Sequence, residues 1–310
     1  TITGTSGDDS GYGVFLTNGV TATAIINSGT ISGVTTGDDF AHGIFVDNSS
    51  TLTTLTNTGT ISSTAADSSS GAVLVSDTSI ITTLTNNGTI SGTATTTFGE
   101  GISLNTSSVI TTLINNDTIS GTSGNNLGSG INLTNSTITT LTNDGTISGT
   151  AGGDAGQGIR LLSSATITNL TNTGTISGTA GGDTGAGILV DRANSVITTL
   201  TNHGTITGTA ANGAGGVIVD RAGAITTLLN TGTITGTATG AEGHGVFVQD
   251  TTALITTLTN TGIITGSDAT NEYDIRVKPG QNSGITNLNN LQSGLTLSLI
   301  HISEPTRLHG

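Results

Sequence analysis

An asparagine returns every 28 to 30 residues along this chain, each time inside the phrase I-T-T-L-T-N-x-G-T-I-S-G or a close variant of it. The series is Asn27, Asn57, Asn86, Asn115, Asn143, Asn172, Asn202, Asn230 and Asn260, with Asn290 in the worn copy Ile285-Thr286-Asn287-Leu288-Asn289-Asn290. A period of this length belongs to a coil that repeats itself. A single unit is too small to bury its own apolar residues, and it becomes stable only when stacked against its neighbours.

Aligning the copies gives three apolar stations per unit. The first is G-[IV]-x-[LV], as in Val14/Leu16, Ile44/Val46, Ile102/Leu104 and Ile188/Val190, and its period of two means strand. The residue between each pair is mixed, running Phe15, Phe45, Leu74, Ser103, Asn132, Arg160, Leu189, Ile218, Phe247 and Arg276, which fits an outward-facing position. The second station is the Leu of T-L-T (Leu55, Leu84, Leu113 and onward), and the third is the Ile of G-T-I (Ile31, Ile61, Ile90 and onward). Each station predicts one inward ladder. An Ile or Leu also stands three residues before the Leu of the second station, which breaks strict alternation and predicts a bend across Thr-Thr. Composition agrees with a thin, regular core: 310 residues include only 5 Phe and 2 Tyr, with no Trp and no Met.

Spacing separates corner from loop. The step from the second-station Leu to the third-station Ile is six residues in every copy that has both, whereas the other two steps vary from 10 to 13 residues. The fixed step contains the Asn, followed two positions later by Gly29, Gly59, Gly88, Gly145, Gly174, Gly204, Gly232 and Gly262, and by Asp117 in one copy. Positive φ at these glycines is the expectation, with Asp117 tolerating the same conformation. Stacked in register, the Asn side chains are expected to bond one another along the axis as an amide ladder. The fold class is therefore all-β, a right-handed parallel β-helix of about ten turns of 28–30 residues. Residues 1–298 form the array, which carries no obvious cap at either end. Residues 299–310 abandon the repeat and read as a non-native tail, an artefact of sequencing or assembly, so His301 and His309 are given no role.

The repeat phrases resemble the β-helix passenger regions of bacterial autotransporters, the type V secreted surface proteins. That resemblance covers residues 1 to about 298. It implies export across the outer membrane, display at the cell surface or release, a downstream outer-membrane β-barrel in the parent protein, and glycans or proteins of a host or the environment as partners. Neither a signal peptide nor a translocating barrel stands in this sequence. The net charge of −14 sets the chain against phosphate backbones, so nucleic acid is not an expected partner, and no apolar run reaches the length of a membrane-spanning helix. Zero Cys removes disulfides and thiol chemistry.

Candidate sites are sparse. Asp191 and Asp220 share one repeat position in adjacent turns, the arrangement a polysaccharide hydrolase or lyase would use for paired carboxylates. Each is followed by an arginine, Arg192 or Arg221, so the phrase V-D-R-A reads more simply as a duplicated, charge-compensated turn. The chain is not expected to be an enzyme, and a carbohydrate-active enzyme is the alternative. Acidic residues after G-T-I-S-G (Asp8, Asp9, Asp38, Asp39, Asp67, Glu100, Asp154, Asp183, Glu242 and Asp268) read as solvated turns, and His42, His203 and His244 as surface residues. No cofactor or metal is expected. Thr54/Thr56, Thr83/Thr85, Thr140/Thr142, Thr199/Thr201 and Thr257/Thr259 form outward columns like those of ice-binding solenoids, the second alternative function, interrupted by Ile114, Asn169, Leu229, Asn287 and Asn289. Phe15 and Phe45 share an outward position where they could stack a sugar ring, though they read more simply as exposed aromatics without a role.

Overall fold

The computed structural model describes residues 1–299 apart from 8, 241, 251, 270–272, 279–282, 294 and 296, and of the proposed tail only Leu299 lies among them. The regular structure is parallel strand, with no helix among the described residues. Every turn contributes one strand to each of three sheets, which hold 10, 11 and 10 strands among the described residues. A mid-array turn runs Thr89–Ala94, Phe98–Leu104 and Val109–Asn115, and the next turn opens at Thr118–Ser123. The third station thus builds the first sheet, G-[IV]-x-[LV] the second, and I-T-T-L-T-N the third. The whole is a β-solenoid of about ten turns.

Register explains why one turn supports the next. Leu55 pairs with Leu84 and Leu84 with Leu113, all fully buried, and Ile102, Ile131 and Ile159 stack in the same way on the second sheet. Equivalent side chains form unbroken inward columns in a single apolar core. In the third sheet the pairing passes from Ile110↔Ile138 to Thr112↔Thr140, skipping Thr111 and Thr139, while Ile110 and Leu113 both stay fully buried. Two successive outward threonines between two inward residues turn the strand around the core, at the position where alternation failed in the sequence.

The asparagines line the corner between the third and first sheets. Asn27 Nδ2 donates to Asn57 Oδ1 at 2.8 Å, and the chain of amides continues one turn at a time at 2.7–2.8 Å as far as Asn290. Each interior amide group also donates to backbone carbonyls; Asn143 Nδ2, for example, reaches Gly145 O at 3.2 Å and Thr175 O at 3.1 Å. Asn57 to Asn260 are fully buried, so these bonds replace water that the amides have lost.

The glycines of this corner do not adopt positive φ. Among the described residues Gly19 alone is a positive-φ glycine, and it lies elsewhere. Close packing is the reason instead: a Cβ on Gly174 would stand 2.0 Å from the Gly145 carbonyl oxygen of the preceding turn. Asp117 forces that contact open. The N···O distance from Thr118 to Gly88 is 3.2 Å, against 2.7–2.9 Å at the equivalent bonds of Thr60, Thr89, Thr146, Thr175, Thr205, Thr233 and Ile263.

Left-handed residues occupy the corner between the second and third sheets. Asp77 and Thr78 have φ of 48° and 59°, and Thr106 and Ser107 have 52° and 62°. The flipped peptides point their N–H groups forward, from Thr78 to Thr106 O at 2.9 Å and from Ser107 to Asn135 O at 2.7 Å, whereas the neighbouring Asn105 N–H bonds backward to Val75 O at 3.0 Å. At the last described copy of the Asn corner, Gln292 takes the place of the glycine. Its side-chain Oε1 accepts from Ile264 N–H at 2.8 Å and its Nε2 donates to Ile264 O at 3.2 Å, so a side-chain amide fills the place of the next backbone strand.

Asn143→Ala leaves Asn172 Oδ1 without its donor in a dry corner and strips Asn115 Nδ2 of its axial acceptor, leaving it only backbone carbonyls, a loss expected to cost about 1–3 kcal/mol. Guanidinium unfolding should show the loss, with hydrogen exchange faster in the turns on either side of residue 143. Asp117→Gly should raise the unfolding midpoint, whereas Gly174→Ala should lower stability by about 1–3 kcal/mol through overpacking. Equal midpoints for these two variants would contradict the close-approach account.

Candidate functional site

The outward surface of the second sheet is bent along its length. In the phrase x-G-[IV]-x-[LV] the register passes from Glu100↔Ser129 to Ile102↔Ile131 and omits Gly101, marking a bend at that glycine. The residues flanking it, x at each side, both face out and lean toward one another. One column is the mixed set from Phe15 to Arg276. The other runs Tyr12, His42, Gly71, Glu100, Ser129, Gln157, Ala186, Gly215, His244 and Tyr273. Facing members touch: ring centroids are 5.0 Å apart for Tyr12–Phe15, 5.2 Å for His42–Phe45 and 4.7 Å for His244–Phe247. A groove therefore follows the rod axis. Its walls are set by glycine, because a Cβ on Gly92 would lie 1.8 Å from Glu100 O and one on Gly99 would lie 1.8 Å from Thr122 O. Where both positions are serine, Ser70 Oγ donates to Ser63 Oγ at 2.6 Å.

Four zones succeed one another along the groove. The first is aromatic: Phe15 stacks on Phe45 at 4.9 Å and 15°, and Tyr12 on His42 at 5.7 Å and 5°. Beside it, in a cavity of about 370 Å³, lie Glu100, Ser103 and Asn132, with Gly71 leaving the space between His42 and Glu100 unfilled. Next comes a dry apolar stripe of Ala186, Leu189, Ile218 and Phe247, packed outside the main core. The last zone is ionic: Glu242 pairs with Lys278 at 2.9 Å and with Arg276 at 3.4 Å, and both cations sit over the Phe247 ring.

Three sequence expectations are corrected here. Glu100 is not in a solvated turn; it lies in the strand Phe98–Leu104, only 9% exposed, with Asn132 Nδ2 donating to its Oε1 at 2.8 Å. His42 and His244 are buried, and only His203 is an exposed histidine of the three. The outward column is also largely covered, since Leu74, Ser103, Asn132, Leu189, Ile218 and Phe247 are buried. The missed signal was the residue before the glycine in x-G-[IV]-x, which carries every second partner of the groove.

Desolvation sets the electrostatics. It pushes the Glu100 carboxyl up, opposed by the Ser103 hydrogen bond, the Arg160 charge and the Asn132 amide. It pushes His42 down to about 4 against the raising effect of the Gly71 carbonyl, which lies 3.1 Å from Nδ1. Asn132 Oδ1, Ser129 Oγ, Gln157 Oε1 and Arg160 Nε are buried without a hydrogen-bond partner among the described residues.

The paired aspartates do meet. Asp191 and Asp220 are register partners, as their repeat position requires. Arg221 lies across both: its Nε donates to Asp191 Oδ1 at 2.8 Å, its Nη2 pairs with Asp191 Oδ2, and its Nε stands 3.6 Å from Asp220 Oδ2. Gln249 Nε2 donates to Asp220 Oδ2 at 3.1 Å. Burial pushes the Asp220 carboxyl up, with Asp191 adding to the effect. The arrangement is that of a compensated turn. Asp9, Asp38, Asp67, Asp154 and Asp183 are exposed as expected, and Asp8 lies outside the described residues, as do His301 and His309. Among the described residues no three His, Cys, Asp or Glu side chains group closely enough to hold a metal ion. The Thr columns of the third sheet stack in register, Thr83 on Thr112 and Thr112 on Thr140, and Ile114 and Asn169 interrupt them.

Compared with protein-family models, curated proteins and solved structures, the chain shows no match.

An imidazole whose folded value lies below its unfolded value favours the neutral ring. The stability that neutral His42 contributes is therefore complete above pH 6.5 and lost as the pH falls toward 4. Between those values the wild type should lose about 3 kcal/mol relative to His42→Gln, which removes the titration. Thermal unfolding of both proteins from pH 7 to 4 checks this, and parallel curves would contradict it.

Proposed function

We propose that this chain is a structural and adhesive scaffold, the stalk-forming part of a bacterial surface or secreted protein of the autotransporter-passenger kind, and that it performs no catalysis. The observation that carries the reading is the unbroken register of the three sheets from the first described turn to the last. A stack of about ten turns spaced roughly 4.8 Å apart makes a rod on the order of 45 Å long. Such a rod is stiff because each turn is bonded to the next at all three sheets and along the amide ladder. Its length grows by adding turns without altering any of those already present.

The chemistry of the chain suits export through a narrow channel and folding on the far side. Zero Cys leaves no disulfide to form or scramble. Each turn docks on the one before it, so folding can propagate from any stable set of turns. The clasp of Arg221 on Asp191 and Asp220 supports the non-catalytic reading, since both carboxylates already serve a structural partner.

Two measurements test the proposal. Extending the gene sequence beyond codon 298 should reveal alternating strands of about ten residues that close an outer-membrane barrel; a parent protein with no such barrel would remove the export route. Reducing-end release from acidic polysaccharides should stay at background, and release that vanishes in Asp191→Asn would replace the scaffold by an enzyme.

A further inference from the structure

We propose that the aromatic and polar zones of the second-sheet groove, centred on Phe45, Glu100 and Asn132, form a binding site for a neutral glycan chain of hexopyranose units. This deepens the scaffold reading by naming its adhesive patch, and rests on that reading only for where the ligand is met.

Three observations converge. The first is the aromatic rim. Phe15 and Phe45 stack on each other beside the cavity, each covering one face of its partner, while Phe40 and Phe98 line the cavity and expose 47% and 40% of their surface. Aromatic faces of this kind take the C–H side of a pyranose ring, which is apolar, while the hydroxyls point away along the ring edge. The second is the polar floor. Glu100 and Asn132 are each only 9% exposed, both line the cavity, and Asn132 Oδ1 has no hydrogen-bond partner among the described residues. A carboxylate and an amide oxygen fixed side by side accept hydrogen bonds from neighbouring hydroxyls, with Asn132 Nδ2 holding Glu100 in place at 2.8 Å.

The third observation is spacing. The groove repeats with the turns, roughly 4.8 Å apart, close to the rise of one unit in an extended glycan. A chain laid along the axis from Tyr12 to Asn132 would meet each turn in similar register, and about three to four rings would span the two zones. A peptide is a poorer fit. The backbone groups of the groove floor are already paired in the parallel ladder on both sides, leaving no edge for an added strand, so the ligand must be read by side chains alone. An acidic glycan is disfavoured by Glu100 and by the net charge of −14.

Gly71 supplies the decisive variant. A Cβ there would meet nothing nearer than His42 Nδ1 at 3.4 Å, and Gly71 lines the cavity, so a side chain can be added at this point without a clash at its Cβ. Titration calorimetry of the purified full chain against cellotetraose, mannotetraose, maltotetraose and tetragalacturonate should give saturable binding to at least one of the three neutral tetrasaccharides. Glu100→Gln and Phe45→Ala should each weaken that binding roughly tenfold or more. Gly71→Leu should abolish it with the unfolding temperature kept or raised. Wild type that binds none of the neutral probes, that binds tetragalacturonate alone, or that binds as well after Gly71→Leu would overturn the site. A peptide-array signal that Gly71→Leu removes, without any glycan binding, would overturn it in favour of a protein ligand. None of these outcomes bears on the downstream barrel, so the site and the export route fail separately.

Discussion

Everything in this molecule depends on equivalent residues of successive turns lying directly above one another. The backbone ladders require it, the inward Leu and Ile columns exploit it, and the asparagines hold it in place at the corner where the chain cannot change length. A one-residue slip in any turn would move its leucine off the column and leave two amides without partners in a dry site. The amide chain is also directional: each Nδ2 donates toward the next turn. Aligned dipoles of this kind polarise one another, so the ladder is worth more than its bonds counted singly.

Much of the fold was legible because a repeat states its own alignment. The Leu, Ile and Asn stations could be read from spacing alone, and the threonine bend followed from one break in alternation. The corner chemistry was read less well. Glycine two residues after eight of the ten Asn suggested positive φ, but the structure uses the missing Cβ to let one turn's backbone press on the next. Left-handed residues lie instead at the other corner, among them Asp77, Thr78, Thr106 and Ser107, of which only Asp77 is of a type that favours the conformation. A β-branched residue in that region is costly, and it persists because the flipped peptide gives the following turn a hydrogen bond that an ordinary corner would leave unmade.

The groove was half legible. Phe15 and Phe45 could be placed on one outward column, and Asp191 opposite Asp220, because both inferences need only the repeat. Glu100 and the histidines could not, since their burial depends on a second column leaning across a bend that strand alternation does not reveal. Burial in turn sets their chemistry. His42 is held neutral and Glu100 has its charge penalised by the same enclosure, while Gly71 between them keeps the enclosure hollow.

Gln292 shows how a side chain can interrupt a backbone ladder. The amide at that corner engages the N–H and C=O of Ile264, the pair that an incoming strand would need first. A strand approaching Ile264 finds those two groups taken by a side chain that imitates peptide but offers nothing further to zip onto, so pairing there must begin by displacing it.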